Sequence, residues 1–276
     1  MSTTTNSFGG KAALSFAHVA GMVDMVALPV WIGALVQYYG YNAQQAGITV
    51  TLFLVGVVVA SLFVSPRFNR LPRKPLTAGG FALAAIAFFF AARLPVAASS
   101  FQALAALHVV AGLGVGCALS FTHGCIGRSA NPHRLFAVAN VALGVFAVFF
   151  LGGVPQLILQ AGAASLFWVC TALMAVAAVV MLLAFPEVAV ADVATVAAAP
   201  QQRIPLAAWI VAGVVVCLTL NQSMVFAFVE RVGVDRGFGV ERINGVLIAL
   251  GLVNLTPGVL AAILQRSEER RVGKEC

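Results

Sequence analysis

Long apolar stretches separated by short polar connections dominate the pattern along this chain. A helix that crosses a bilayer needs roughly 20 consecutive, mostly apolar residues. This criterion predicts eight membrane-spanning helices, at residues 14–37, 46–64, 76–92, 101–124, 135–159, 163–185, 206–229 and 243–264. The expected fold is therefore an all-α membrane protein.

The spacing of these spans predicts two groups of helices. The first six spans follow one another closely, whereas residues 186–205 form a longer connection rich in Ala and Val before the seventh span. We therefore expect an N-terminal segment at 1–13, a six-helix bundle at 14–185, a central linker at 186–205, and the first two helices of an incomplete second bundle at 206–264. Paired helical halves of this kind are typical of secondary transporters.

Basic residues are concentrated in every second loop. The connections after the second, fourth and sixth spans hold most of the loop cations, namely Arg67, Arg70, Arg73, Lys74, Arg128, Arg134 and Arg203. Lys and Arg residues close to helix ends are retained on the cytoplasmic side of a membrane. We therefore expect these loops, and with them the N-terminus, to be cytoplasmic in a bacterial-type inner membrane.

Composition supports the membrane interpretation and excludes several other classes of protein. The chain is 61% hydrophobic and only 9% charged, and its mean hydropathy is +1.01. Soluble domains are roughly one quarter charged. The net charge of +7 could indicate a nucleic-acid partner, but the sequence contains no basic face with interleaved aromatic residues. Its five cysteines show no metal-ligand spacing, so we expect no metal, no cofactor and no nucleic-acid partner.

The loop after the second span has Asn69 followed by three cations, Arg70, Arg73 and Lys74. This loop resembles a signature of the major facilitator superfamily of transporters, which reads Gly, three residues, Asp, a basic residue, one residue, Gly and two basic residues. The three cations match that signature, while Asn69 replaces the acid and other residues replace both glycines. The resemblance implies a cytoplasmic gating loop, in which Asn69 can form a hydrogen bond but no ion pair.

Three further candidate residues follow from the same resemblance. His108 precedes Gly112 and Gly114 at the position where the superfamily has an Arg in its fourth helix, which makes this titratable side chain a candidate for the substrate cavity. The seventh helix of the superfamily faces the central cavity, so Asn221 and Gln222 are candidates for substrate contact. Hydrogen bonding between packed helices is the alternative for all three side chains.

The final residues of the chain differ abruptly from the rest. RSEERRVGKEC, at 266–276, resembles the translated reading frame of a common DNA-sequencing adapter. We therefore expect 265–276 to be a non-native tail and the second half of the superfamily fold to be truncated. The alternative is a natural charged tail after the eighth helix.

Asp24 is the only carboxylate within the eight predicted spans, and it lies in the middle of the first one. A charged acid at bilayer depth is costly, so such residues face a cavity or a partner. Its surroundings can adjust its proton affinity, which would let it exchange a proton. Two interpretations remain open: a proton-coupling or cation-binding site in the first helix, or a protonated Asp that is hydrogen-bonded between helices.

No nucleotide-binding loop, HExxH motif, GxSxG motif or paired carboxylates occur in the chain. The sequence therefore predicts a transporter and not an enzyme, one that moves a small organic solute by alternating access with proton coupling through Asp24. Its expected partners are the solute, protons and membrane lipid, and the sequence assigns no oligomeric state. A truncated, non-functional fragment and a membrane-embedded enzyme are the alternatives.

Overall fold

The computed structural model describes residues 4–187, 205–239, 241–253 and 256. Within these residues the secondary structure is helical, apart from one isolated parallel bridge between Thr4 and Glu187. The predicted all-α fold is therefore confirmed. Several predicted features lie outside the described residues, namely the linker at 188–204, most of 254–264 and the tail at 265–276.

The described residues form a series of long helices. These are α1 Phe8–Gly21, α2 Val23–Gln37, α3 Ala43–Val64, α4 Arg73–Arg93, α5 Phe101–Gly127, α6 Pro132–Ala161, α7 Ser165–Ala184, α8 Leu206–Asp235 and α9, which is described for residues 241–253. Within the described part, seven spans are long and apolar enough to cross a membrane when α1 and α2 count as one. Helix α9 corresponds to the predicted eighth span.

Polar caps explain why some helices begin earlier than the hydropathy pattern predicts. Helix α1 begins at Phe8 because the Ser7 hydroxyl accepts a hydrogen bond from the Gly10 N–H at 3.1 Å. At the start of α3, the Asn42 side chain accepts from the Gln45 N–H at 2.8 Å, and the Gln45 side chain accepts from the Asn42 N–H at 3.1 Å. Such caps satisfy backbone donors that have no acceptor within the helix.

Glycines allow the helices of the first bundle to pack closely. Helix α5 lies between α3 and α4, and α4 also packs against α7. On one side of α5, Gly112 lies directly against the backbone carbonyl of Phe53. On the other side, a Cβ added at Gly80 would lie 2.5 Å from the carbonyl oxygen of Gly114. Close backbone approach is a main source of helix association in lipid, since lipid tails are as apolar as the side chains.

We expect Gly80→Ala to lower the thermal stability of the protein in detergent. The new methyl group would meet the α5 backbone, which cannot move aside as a side chain would, and overpacking of this kind costs about 1–3 kcal/mol. Gly79→Ala is the matched control, because a Cβ at Gly79 meets nothing within 4 Å. The Tm of each variant checks this prediction, and equal Tm values would contradict the proposed packing.

Helix α8 joins the first bundle through a narrow contact. Among the described residues, only 6% of the most apolar 18-residue stretch of α8 is buried. The helix packs mainly against α2. At that contact the Glu230 carboxyl covers Gly33, where an added Cβ would lie 2.6 Å from a carboxyl oxygen. Elsewhere, Gly251 of α9 packs against Val148 in the middle of α6. The Gly33–Glu230 contact lies towards the turn at 38–42, the end of the bundle opposite the basic loop at 65–72.

Candidate functional site

The first predicted span is interrupted at Met22, between α1 and α2. The Met22 N–H donates to the His18 carbonyl at 2.9 Å, but the Met25 N–H donates to the Met22 carbonyl at 3.1 Å, one residue short of α-helical spacing. The first backbone N–H groups of a new helix lack intrahelical acceptors. Asp24 therefore lies in the first turn of α2 and not in the middle of a continuous helix, as the hydropathy pattern predicted.

The Asp24 carboxyl lies in the first turn of α2. Helix N-termini carry partial positive charge, which stabilises a nearby anion. The salt bridge found among the described residues joins Arg231 and Asp235 of exposed α8 at 2.9 Å. Within this part of the chain, therefore, no ion pair neutralises Asp24. Asp24 therefore lies at the positive end of a helix and is half-buried.

Asp24 lines a cavity of ≈ 1590 Å³ between the two groups of helices. Its described polar lining consists of Asp24, His133, Asn140, Thr219, Asn221, Gln222 and Ser223. Apolar residues of α2, α3, α6, α8 and α9 form the rest of the walls. Pockets of about 300–1,000 Å³ hold drug-sized ligands, so this cavity has room for a small organic solute and water. The structure thus brings together three predicted residues, Asp24, Asn221 and Gln222.

His108 lies outside this cavity, in contrast to its expected position. Its ring is fully buried, with its Nε2 atom 3.1 Å from the Trp31 indole N–H and its Nδ1 atom 2.7 Å from the Leu104 carbonyl. The carbonyl can only accept, so Nδ1 carries the proton and Nε2 accepts from Trp31. Phe88 and Phe167 pack edge-on against the ring. His108 is thus hydrogen-bonded between packed helices, which is the alternative that the sequence left open for this residue.

We expect His108→Leu to lower stability, because it leaves the Trp31 N–H without an acceptor in an apolar core. An unsatisfied buried donor costs about 1–3 kcal/mol. The double variant Trp31→Phe, His108→Leu should recover part of the lost Tm, since it also removes the donor. If the single variant kept its stability but lost transport, the packing role of His108 would be contradicted. A role in substrate binding would then be favoured.

A pair of histidines lies behind the cavity wall. His18 Nδ1 and His123 Nε2 are 3.0 Å apart, so one ring donates a hydrogen bond to the other. Phe136, which lines the cavity, packs edge-on against both rings. The two histidines are 105 residues apart, so the pattern along the chain did not predict this pair.

Glu230 is a second carboxyl in the membrane-spanning part of the chain, and the sequence pattern missed it. The predicted seventh span ended at residue 229, but α8 continues to Asp235. The Arg231–Asp235 pair supports this extra turn, as oppositely charged residues four apart stabilise a helix. A prediction from hydropathy ends a span where charged residues begin, but the α8 helix continues past that point. Asp24 is therefore not the only acid within the spans.

The loop after α3 is connected to the loop after α5 through one aromatic ring. The guanidinium groups of Arg73 and Arg128 lie 5.2 Å and 4.0 Å from the centroid of the Phe68 ring. Each such cation–π contact contributes about 0.5–1 kcal/mol at an exposed site. The other predicted gating residues are exposed: Asn69, Arg70 and Lys74. Their gating role stays a prediction.

Comparison with known proteins identifies the family of this chain. No match was found among curated proteins or among solved structures. A family model described as Major Facilitator Superfamily matches residues 14–274, a range that includes both groups of helices and the cavity between them. The long apolar helices make the chain a multi-pass membrane protein. The chain belongs to the major facilitator superfamily, a family of membrane transporters.

Proposed function

We propose that this protein is a secondary transporter that moves a small organic solute by alternating access, with protons as the coupling ion. The observation that carries the proposal is the cavity between the two groups of helices, with the Asp24 carboxyl in its wall. An acid retained at bilayer depth is useful where water or a ligand reaches it. Asp24 binds a proton while the cavity faces one side and releases it after the cavity has changed side.

The two ends of the cavity differ, as alternating access requires. His133, at the start of α6, lines the cavity close to the basic loops. At the opposite end the Glu230 carboxyl sits on Gly33 and brings α8 against α2. This arrangement fits a state that is open towards the basic loops and closed at the other end. Rocking of α8 and α9 against the first bundle would exchange the two ends.

The Asn221 and Gln222 side chains on α8 line the same cavity as Asp24. Each amide can donate and accept hydrogen bonds, so these residues can bind a polar group of the solute. They belong to the second group of helices, whereas Asp24 belongs to the first. A solute that contacts both would hold the two groups together during the change of access.

The basic loops support a cytoplasmic N-terminus in a bacterial-type inner membrane. Arg67, Arg73 and Arg128 lie at the same end of the first bundle, where Arg73 and Arg128 share the Phe68 ring. Cytoplasmic loops of membrane proteins are enriched in such cations. The solute cavity of the described structure would then be open to the cytoplasm.

Reconstitution into proteoliposomes with an imposed pH gradient tests the proposed function. Three radiolabelled solutes cover the charge classes: N-methyl-4-phenylpyridinium, mannitol and p-aminohippurate. We expect one class to accumulate only with the gradient. We also expect Thr219→Trp, which fills the cavity, to stop this accumulation, while Leu220→Trp, on the exposed face of α8 turned away from the cavity, preserves it. Equal flux in both variants would contradict the proposal, and no flux of any class would favour a non-functional fragment.

A further inference from the structure

We infer that the transported solute is an amphiphilic organic cation, with an apolar body and one positive charge placed against Asp24. This inference rests on the proposed function and names the class of its substrate. It follows from the charge, the apolar walls and the position of the polar groups in the cavity.

The described cavity walls contain a carboxyl group but no permanently charged cation. Among the described residues that line the cavity, the ionisable side chains are Asp24 and His133, and none is Lys or Arg. Just beyond its closed end, Glu230 adds a second carboxyl. A buried charge without a partner of opposite sign is strongly destabilised. A carboxylate or phosphate ester would meet acids here and no Arg or Lys, so the cavity disfavours anionic solutes.

The rest of the lining favours an apolar body over a sugar-like one. Most of the remaining wall is aliphatic or aromatic, including Leu54, Val57, Phe136, Leu143 and Phe226. A polyol desolvated against such walls would lose hydrogen bonds to water and gain few from the protein. An aromatic or aliphatic group would instead be removed from water at a gain of about 25 cal/mol per Å² of apolar surface. The side walls therefore suit the apolar part of a solute.

The polar groups are placed for a solute that is charged at one end. The side chains of Thr219, Asn221, Gln222 and Ser223 form one polar stretch on α8, and Asp24 lies on α2, the helix that packs against α8. The Asp24 carboxyl supplies one negative charge, and Asn221 and Gln222 supply neutral hydrogen-bond acceptors for N–H groups. One charge on the wall matches one charge on the solute, which selects a monocation.

Binding of three isosteres to the purified protein in nanodiscs tests this inference. N-methyl-4-phenylpyridinium is the cation, 4-methylbiphenyl has the same shape without charge, and biphenyl-4-carboxylate is the anion. After subtraction of binding to empty nanodiscs, we expect the cation to bind at least about tenfold more tightly than the anion, because its positive charge is attracted to the Asp24 carboxylate while the anion is repelled. Asp24→Asn should weaken binding of the cation about tenfold and leave the neutral isostere unchanged.

Matched variants keep the test independent of folding. Asp235→Asn removes an exposed carboxylate that is paired with Arg231 outside the cavity, so it should bind the cation as the unmodified protein does. Equal binding of cation and anion, or cation binding that is unchanged in Asp24→Asn, would overturn the inference even if a pH gradient drives flux of another solute. Asp24-dependent cation binding without any gradient-driven flux would uphold the inference and overturn the proposed function.

Discussion

Replacing Asp24 with Asn is expected to reduce solute accumulation driven by a pH gradient to the level of protein-free vesicles. Asn has nearly the same shape as Asp, so the helix break at Met22 should persist. It cannot take up or release a proton, however. The initial rate of gradient-driven uptake into proteoliposomes measures this loss.

The Asp235→Asn variant is the control for this experiment. Asp235 is an exposed carboxylate at the end of α8, where it pairs with Arg231 at 2.9 Å. Removal of an exposed ion pair costs at most about 1 kcal/mol, so we expect normal uptake. If Asp24→Asn also retained gradient-driven uptake, Asp24 would have no part in coupling, and it would be a protonated Asp that packs between helices.

Replacing Gly33 with Leu is expected to stop transport for a different reason, because it prevents closure of the end near the turn at 38–42. At this point the end of the Glu230 side chain lies on Gly33, where a Cβ would be 2.6 Å from a carboxyl oxygen. A small side chain could push this flexible carboxyl aside, but the larger Leu side chain must also find room between α2 and α8. Overpacking costs of about 1–3 kcal/mol would reduce the population of the closed state roughly 5- to 150-fold. A transporter whose end stays open cannot complete an alternating cycle.

A second substitution separates this effect from general misfolding. Glu230→Ala removes the side chain that covers Gly33, so the double variant Gly33→Leu, Glu230→Ala should recover part of the uptake rate. Gly47→Leu is the matched control in a neighbouring helix, as a Cβ there meets nothing within 4 Å. A double variant no faster than Gly33→Leu alone would show that the Gly33–Glu230 contact is not the cause of the loss.

The sequence predicted the helices well because apolar length alone decides which segments can cross a bilayer. It missed features that depend on single residues. The break at Met22 lies within a continuous apolar stretch, and a hydropathy window averages over it. The last turn of α8 was missed for the opposite reason, since Glu230 and Arg231 end the apolar stretch but not the helix.

The cavity was only partly predictable for a related reason. Asn221 and Gln222 were expected in it because the seventh helix of the resembling family faces the central cavity, and both line the same cavity as Asp24. The same resemblance also placed His108 there, but its hydrogen-bond partner is the Trp31 indole, 77 residues away. The pattern of residues along the chain indicates that a buried polar group needs a hydrogen-bond partner. It does not indicate which distant residue provides that partner.

The most direct test of the central claim asks whether water reaches the Asp24 position. In a background without the native cysteines, Asp24→Cys and Val176→Cys are treated with the charged, membrane-impermeant reagent 2-(trimethylammonium)ethyl methanethiosulfonate. Val176 is an exposed apolar residue within α7, so its Cys variant should face lipid and resist the reagent. We predict rapid labelling of Asp24→Cys from the side of the basic loops. Resistance of Asp24→Cys equal to that of Val176→Cys would place the carboxyl outside any aqueous cleft and contradict the proposed mechanism.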